Sequence, residues 1–326
     1  MPERVSLQVE EITAWDALAD LRAEWSALCD RSPRATPFQR PEWLLPWGRA
    51  FPPGEPWVLA IRDGNRLAAL APFLVYSNSG QRTVAFCGGA VSDYCDVVTD
   101  PDREDAAVSA LLEHLSSRRG LWEVGDFEPV PDGSPLLRIC HPDLEALTEP
   151  RDVCPGLDLP DRIEDLRDVV PTRQFSNLRK YRRKAEALGS LRLEPVETLE
   201  VVLRFYAARR NPLDEDKLRA FHREAAAGFQ ARGALSLHVL CLDSDPIAAL
   251  YGFRERDTLY CYMQGFDEAR AKLSPGVMLV GGVIEEAIRQ GVKRIDFLRG
   301  QEPYKYWWGA RDRETFRRTF RPARGR

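Results

Sequence analysis

The chain has 326 residues, 44% hydrophobic and 29% charged, with a formal net charge of −4. That length suits two domains of roughly 150 residues each, and that balance is typical of globular proteins rather than disordered or fibrous ones. The acidic net charge argues against wholesale coating of nucleic acid, and no apolar run reaches the roughly 18 residues that would span a bilayer.

The amino terminus, MPERVSLQVEEITAWDAL, carries acidic residues and no apolar core segment, so it does not read as a signal peptide. Seven cysteines, an odd number without a Cys-x-x-Cys pair, fit reduced thiols and a cytoplasmic location. Trp15, Leu18, Leu21, Trp25 and Leu28 form one stripe at helical spacing, and Pro41 opens a second helix with Trp43, Leu44 and Trp47. A hairpin over 57–76 turns at Asp63-Gly64. A short strand, 83–86, leads to the loop CGGAVSDYCDVV, then a helix over 104–117 and a strand over 121–127. The proline-rich stretch 129–160 reads as irregular chain bridging two halves.

The second half opens with a basic helix, about 174–188, followed by helices over 198–210 and 216–231 broken at Asn211-Pro212. Strands are expected at 235–242, 246–254 and 258–265, a helix from Pro275 to 290, and a strand over 292–298. The last residues, 311–326, carry seven arginines and read as a surface tail.

The two halves echo each other. VLAIRDGNRLAALAPF at 58–73 and VLCLDSDPIAALYGF at 239–253 are both strand, turn and strand, with Ala68-Ala69-Leu70 matching Ala248-Ala249-Leu250. Asp126-Phe127 and Asp296-Phe297 each close a strand that follows a helix. A repeat of domain length implies two similar folds, expected over 1–165 and 166–326, rather than a solenoid.

Only the second copy has a turn suited to phosphate. Ser274 is a favoured helix cap and Pro275 a favoured first residue, leaving the N–H groups of Gly276, Val277 and Met278 to face an anion where the helix dipole also attracts it. Gly276 admits close approach and Lys272 could add charge. The competing reading is an ordinary helix start. Gly281 and Gly282 lie inside that helix, where each costs about 1 kcal/mol relative to alanine, which implies close packing against a neighbour.

Strand, loop, glycine-bearing turn, helix and strand in this order resemble the donor-binding core of the GNAT N-acyltransferases. SPGVML and GVKRIDFLRGQEPYKYWWGA, with FSNLRKYRRKAEALG before them, resemble the CelD-like acetyltransferases of polysaccharide-biosynthesis operons, a group related to the Fem-type aminoacyl transferases. The chain departs from the usual two-glycine loop in having Gly276 alone. The resemblance implies an α/β protein of two tandem GNAT-like domains, each a mixed, mostly antiparallel sheet flanked by helices. It implies acyl-coenzyme A as co-substrate without a metal, and transfer of an acetyl or other acyl group to an amine on a small acceptor such as a sugar or envelope precursor. Gln264 and Gly265, at a strand end, join Lys272, Ser274, Gly276, Val277 and Met278 as expected donor-site residues.

For proton transfer the candidates are Asp96, Asp296 and Tyr304, with Ser92, Asp93 and Tyr94 in the same loop as Asp96. Asp296 sits where open α/β sheets place ligands, but a structural carboxylate fits equally well. Tyr94, Lys305 and the arginines Arg179, Arg182 and Arg183 are candidates for the acceptor, the arginines because a guanidinium grips phosphate in two places. A solvated helix face is their bland alternative. His238 and Cys241, three apart on a strand, face opposite sides and do not suggest a metal site. Two other functions remain open: Fem-type transfer from charged tRNA, and a non-catalytic scaffold.

Overall fold

A computed structural model describes residues 7–51, 54–206 and 215–323. The expected break at Asn211-Pro212 lies outside the described residues. The chain divides into two units, residues 1–152 with 314–326, and residues 153–313.

The first unit runs β1 (Gln8–Ile12), α1 (Trp15–Asp20), α2 (Arg22–Arg31), α3 (Pro41–Ala50), β2 (Glu55–Pro56), β3 (Val58–Asp63), β4 (Arg66–Ala71), β5 (Phe73–Asn78), β6 (Gln81–Phe86), β7 (Val98–Thr99), α4 (Glu104–Ser117), β8 (Val124–Pro131), α5 (Pro135–Arg138) and β9 (Leu144–Val153). The β3–β4 hairpin turns at Gly64, whose φ of 59° explains the glycine. Helix α4 crosses between the parallel strands β6 and β8. Leu111, Leu112 and Leu115 bury its apolar stripe against the sheet.

The second unit follows with β10 (Gly156–Asp158), α6 (Thr172–Glu186), β11 (Leu191–Pro195), α7 (Glu200–Tyr206), α8 (Glu215–Ala231), β12 (Leu235–Leu242), β13 (Asp245–Glu255), β14 (Thr258–Phe266), α9 (Pro275–Arg289), β15 (Arg294–Asp296) and α10 (Pro303–Trp307). Its six-stranded sheet has the order β10-β15-β14-β13-β12-β11. Strands β14 and β15 are parallel and joined by α9, and the other neighbours are antiparallel. The repeated hairpins therefore occupy matching places: β3–β4 and β12–β13 each precede a parallel pair bridged by a helix. Ala69 and Ala249 are both fully buried in their hairpins.

Two sequence expectations are corrected. The arginine-rich segment 311–326 is not a surface tail: Glu314–Pro322 forms β16, which lies between β8 and β9 in a six-stranded sheet of the first unit. Phe320 is completely buried there, with its ring 5.9 Å from that of Phe127. Arg317 binds Asp126 through two hydrogen bonds of 2.7 Å. The arginines obscured a strand because one face carries the phenylalanines while partners distant in sequence take up the charge. The stretch 129–160 is likewise not irregular, since it contains β9, an edge strand. An edge tolerates Pro150 and polar residues on both faces, which removes the alternation that marks a half-buried strand.

Candidate functional site

The site forms where two strands part. Strands β14 and β15 pair over three residues only: Thr258 with Arg294, Leu259 with Ile295, and Tyr260 with Asp296. Beyond Tyr260, β14 continues to Phe266 with β13 on one side and no strand partner among the described residues on the other. The register of β13 and β14 shifts between Tyr251 and Gly252, so Tyr262 bulges out of the ladder. Into the gap opens a cleft of about 290 Å³ lined by Gln264, Gly265 and Phe266 from β14, Ser274, Pro275, Gly276, Val277 and Leu279 from the start of α9, and Tyr304, Trp307 and Trp308 from α10 and the residue after it.

Close packing holds these walls. A Cβ on Gly281 would lie 2.8 Å from both methyl carbons of Leu178 in α6 and 3.0 Å from Trp308. One on Gly282 would lie 2.9 Å from Leu193 in β11. The two mid-helix glycines thus let α9 sit flush against α6 on one side and the sheet on the other. Gly276 is different: a Cβ there would meet nothing nearer than Phe266 at 3.8 Å, so the space in front of its backbone is open.

The helix start is not built as the sequence suggests. A short 3-10 turn, Glu268–Leu273, runs straight into α9, and Ser274 links them in the left-handed conformation, φ 54°. Its side chain makes no capping hydrogen bond. Its carbonyl accepts the N–H groups of Val277 at 3.1 Å and Met278 at 3.4 Å. The expected set of three anion donors therefore shrinks to one, the N–H of Gly276, for which no acceptor is found among the described residues. Met278 is 1% exposed and belongs to the core rather than the cleft. The Lys272 side chain is exposed outside the lining, and its carbonyl accepts from Lys184 Nζ at 2.9 Å.

Several other expected site residues turn out to hold structure together. Lys305 is 2% exposed, and its ammonium donates to the carbonyls of Leu298, Arg299 and Gly300 at 2.8, 2.8 and 3.0 Å, with Glu302 2.9 Å away. It clamps the loop after β15, where Leu298 has φ 59° and Gly300 φ 109°, and has no free N–H for a substrate. Arg182 is taken up by a two-pronged pair with Glu285 at 2.8 and 2.9 Å, which ties α6 to α9. Arg179 and Arg183 lie exposed on α6. Asp296 is buried at the apex where the strands part, with Oδ1 accepting from the Leu298 N–H at 2.8 Å, and it does not line the cleft. Tyr304 does line it, its ring edge-on to Phe297 at 6.2 Å.

Asp96 and Tyr94 belong to the first unit and are buried there. Asp96 Oδ1 accepts from Ser134 Oγ at 2.7 Å and from its neighbour's N–H, Val97, at 2.8 Å. Burial drives its carboxyl up to about 7, against the pull of those two hydrogen bonds. Tyr94 packs on Phe38, and Ser92 accepts from the Trp43 indole at 2.9 Å. Around the parallel strands of this unit, Phe73, Phe86, Phe127 and Phe320 fill the interior with ring centroids 4.7–5.9 Å apart.

The walls that sequence reasoning missed are aromatic and apolar: Phe266, Leu279, Trp307 and Trp308. Their signal was present in the tyrosines and tryptophans of EPYKYWWG, but an aromatic run reads equally well as core. Trp308, 2% exposed, is indeed packed, while Trp307 is 52% exposed.

Comparison with known proteins agrees with this geometry. Residues 172–306, from α6 to α10, match the family model of the acetyltransferase (GNAT) domain. The fold is similar to that of FemX, with a TM-score of 0.67 and 10% identity over 95% of this chain and 96% of that one. It is also similar to a conserved protein of Bacteroides thetaiotaomicron, with a TM-score of 0.62 and 14% identity over 97% and 100%. A tandem GNAT protein from the clavulanic acid pathway gives a TM-score of 0.55 and 16% identity over 98% and 100%. No match was found among curated protein sequences. The chain thus has the fold of two GNAT-like units in tandem, and residues 172–306 of the second unit match the GNAT acetyltransferase domain model.

Proposed function

We propose that the chain is an N-acyltransferase that moves an acyl group from acyl-coenzyme A to an amine, with the donor bound in the second unit. The observation that carries this reading is the cleft between the unpaired end of β14, the start of α9 and α10, with the open backbone of Gly276 at its rim. A volume of about 290 Å³ is at the small end for ligand pockets. Such a cleft encloses the thioester end of the donor and leaves the nucleotide outside. The apolar walls suit the pantetheine arm, and the Gly276 N–H at the helix start suits a pyrophosphate oxygen. In the first unit, Phe73, Phe86 and Phe127 pack together around the parallel pair.

The free edge of β14 supplies backbone N–H groups between Met263 and Gly265 for the carbonyl oxygen as the amine attacks. Tyr304 is the one ionisable side chain among the described lining residues, and its role is to return a proton to the departing thiolate. No carboxylate is among the described lining residues, which favours an amine that reaches the thioester already neutral. The acceptor class that fits the resemblance is an amino sugar or an envelope precursor.

The test is native mass spectrometry and calorimetry with acetyl-coenzyme A, followed by turnover of Tyr304→Phe. The expected result is donor binding to the wild type, with kcat of the variant reduced about 100-fold and donor affinity little changed. If no acyl-coenzyme A binds, the chain is a scaffold. If a charged tRNA serves as donor instead, the Fem-type reading replaces this one.

A further inference from the structure

Helix α6 presents an unusual surface. Arg173, Arg179, Lys180, Arg183 and Lys184 are all exposed, and Glu186 is the helix's one acidic residue. At 100° per residue these five cations fall within an arc of about 140°, opposite the buried Leu178 and Ala185 that face the core. They extend over about 17 Å of helix.

Elsewhere in this unit several arginines have acidic partners, Arg162 with Asp165, Arg192 with Glu194, Arg223 with Glu200 and Arg294 with Asp158, and the exposed ones without an ion pair among the described residues, such as Arg167 and Arg311, are not clustered on one helix. On α6, no ion pair of Arg173, Arg179, Lys180 or Arg183 occurs among the described residues. In a chain of net charge −4, that concentration of unpaired positive charge stands out.

A second observation coincides with it. The described residues include six large hydrophobic side chains that are exposed, and four lie in this part of the second unit. Val169, 38% exposed, precedes α6, and Leu188, 60% exposed, follows it. Phe266 and Trp307, 40% and 52% exposed, line the cleft. Lys184, through its bond to the Lys272 carbonyl, joins the basic helix to the turn that begins α9. No helix of the described residues is long and apolar enough to cross a membrane.

We propose that the second unit docks on an anionic phospholipid surface through the outer face of α6, with Val169 and Leu188 entering the interface at either end. Three features select this partner. The cations radiate from a helix rather than converge, so they suit a field of headgroups better than a single phosphate. Aliphatic residues at both ends can insert among acyl chains, whereas they offer no face on which a nucleic-acid base could stack. Aromatic side chains at the cleft mouth suit the headgroup zone of a bilayer. The inference goes beyond the donor assignment and does not depend on it, because its readout needs neither coenzyme A nor turnover.

The experiment is co-sedimentation of the full chain with sucrose-loaded vesicles of phosphatidylcholine alone, or with about a third phosphatidylglycerol, across a salt series. The variants are Arg179→Gln/Lys180→Gln/Arg183→Gln combined, and Leu188→Ser. Binding is expected only with the anionic lipid and should weaken as salt rises. The triple variant should lose roughly 100-fold in partition coefficient, from about 1 kcal/mol for each cation near an anionic leaflet. Leu188→Ser should weaken binding several-fold with the charge intact. Circular dichroism keeps folding separate, and these exposed residues should leave it unchanged. Absence of vesicle binding, equal binding to neutral vesicles, or undiminished binding by the triple variant would each overturn the proposal. So would tight binding of tRNA that the triple variant abolishes while vesicles go unbound, which would assign the face to nucleic acid.

Discussion

Replacing Gly276 by valine should separate ligand binding from folding, and Gly281 supplies the contrast. Gly276 is the second residue of α9, and its nearest neighbour for an added Cβ is 3.8 Å away. Valine is a somewhat better helix former than glycine, so the fold should be unchanged or gain a few tenths of a kcal/mol. The side chain would then stand in front of the N–H proposed to meet the donor's pyrophosphate. Losing one hydrogen bond to a charged group removes about 1.5–3 kcal/mol, or roughly 10- to 150-fold in Kd. Gly281→Val should behave oppositely. Its Cβ would press on Leu178 and Trp308 at 2.8–3.0 Å, and overpacking of that kind costs about 1–3 kcal/mol. In a unit of this size that lowers Tm by about 2–4 °C for each kcal/mol. Isothermal calorimetry with acetyl-coenzyme A and a thermal melt on both variants decide the matter. If Gly276→Val binds the donor as tightly as the wild type, the phosphate does not sit at this helix start. If it melts as early as Gly281→Val, the open space in front of Gly276 has been misread.

Asp96 makes a prediction about pH. Its buried carboxyl is raised in the folded state to about 7, so the unfolded chain ionises it first. Stability should therefore fall as pH rises from about 4 to 7 and then level off, and Asp96→Asn should stabilise the first unit at pH 8 by up to about 4 kcal/mol while gaining little near pH 4. Urea titrations at the two pH values check this, and equal midpoints for both proteins at pH 8 would contradict it. Phe320→Ala should cost about 3–5 kcal/mol, seen as early unfolding of the first unit, because its ring is fully buried beside Phe127. Arg182→Ala should lower stability by about 1 kcal/mol or more by leaving Glu285 unpaired, and a salt-independent melt in that variant would support the pair. The rate at saturating donor should rise with pH along the titration of the acceptor amine, with no inflection from an enzyme carboxylate. A bell-shaped profile with a limb near 5 would mean a base has been overlooked.

Much of this molecule was legible in one dimension because the signals are local. The Ala-Ala-Leu hairpins, the Asp-Phe strand ends and the Ser-Pro-Gly helix start each occupy a few consecutive residues, and they sufficed to place a repeated α/β unit and to point to the start of α9, where a cleft opens. Gly276 could be singled out because a helix start constrains its own residues. The functions of charged side chains were a different matter, since their partners are set by tertiary approach. Lys305 looked available for phosphate, but its ammonium turns back on the carbonyls of its own loop. Arg182 finds Glu285, 103 positions away, and Asp96 finds Ser134, 38 positions away. Strand β16 shows the same division most clearly. Its two phenylalanines, Phe316 and Phe320, stand four apart among arginines, a spacing that does not mark a strand, and nothing local says that it returns to the first unit and pairs with β8. Backbone ladders are formed by groups common to every residue, so the identity of a strand's neighbour is decided by the packing of side chains across the finished sheet.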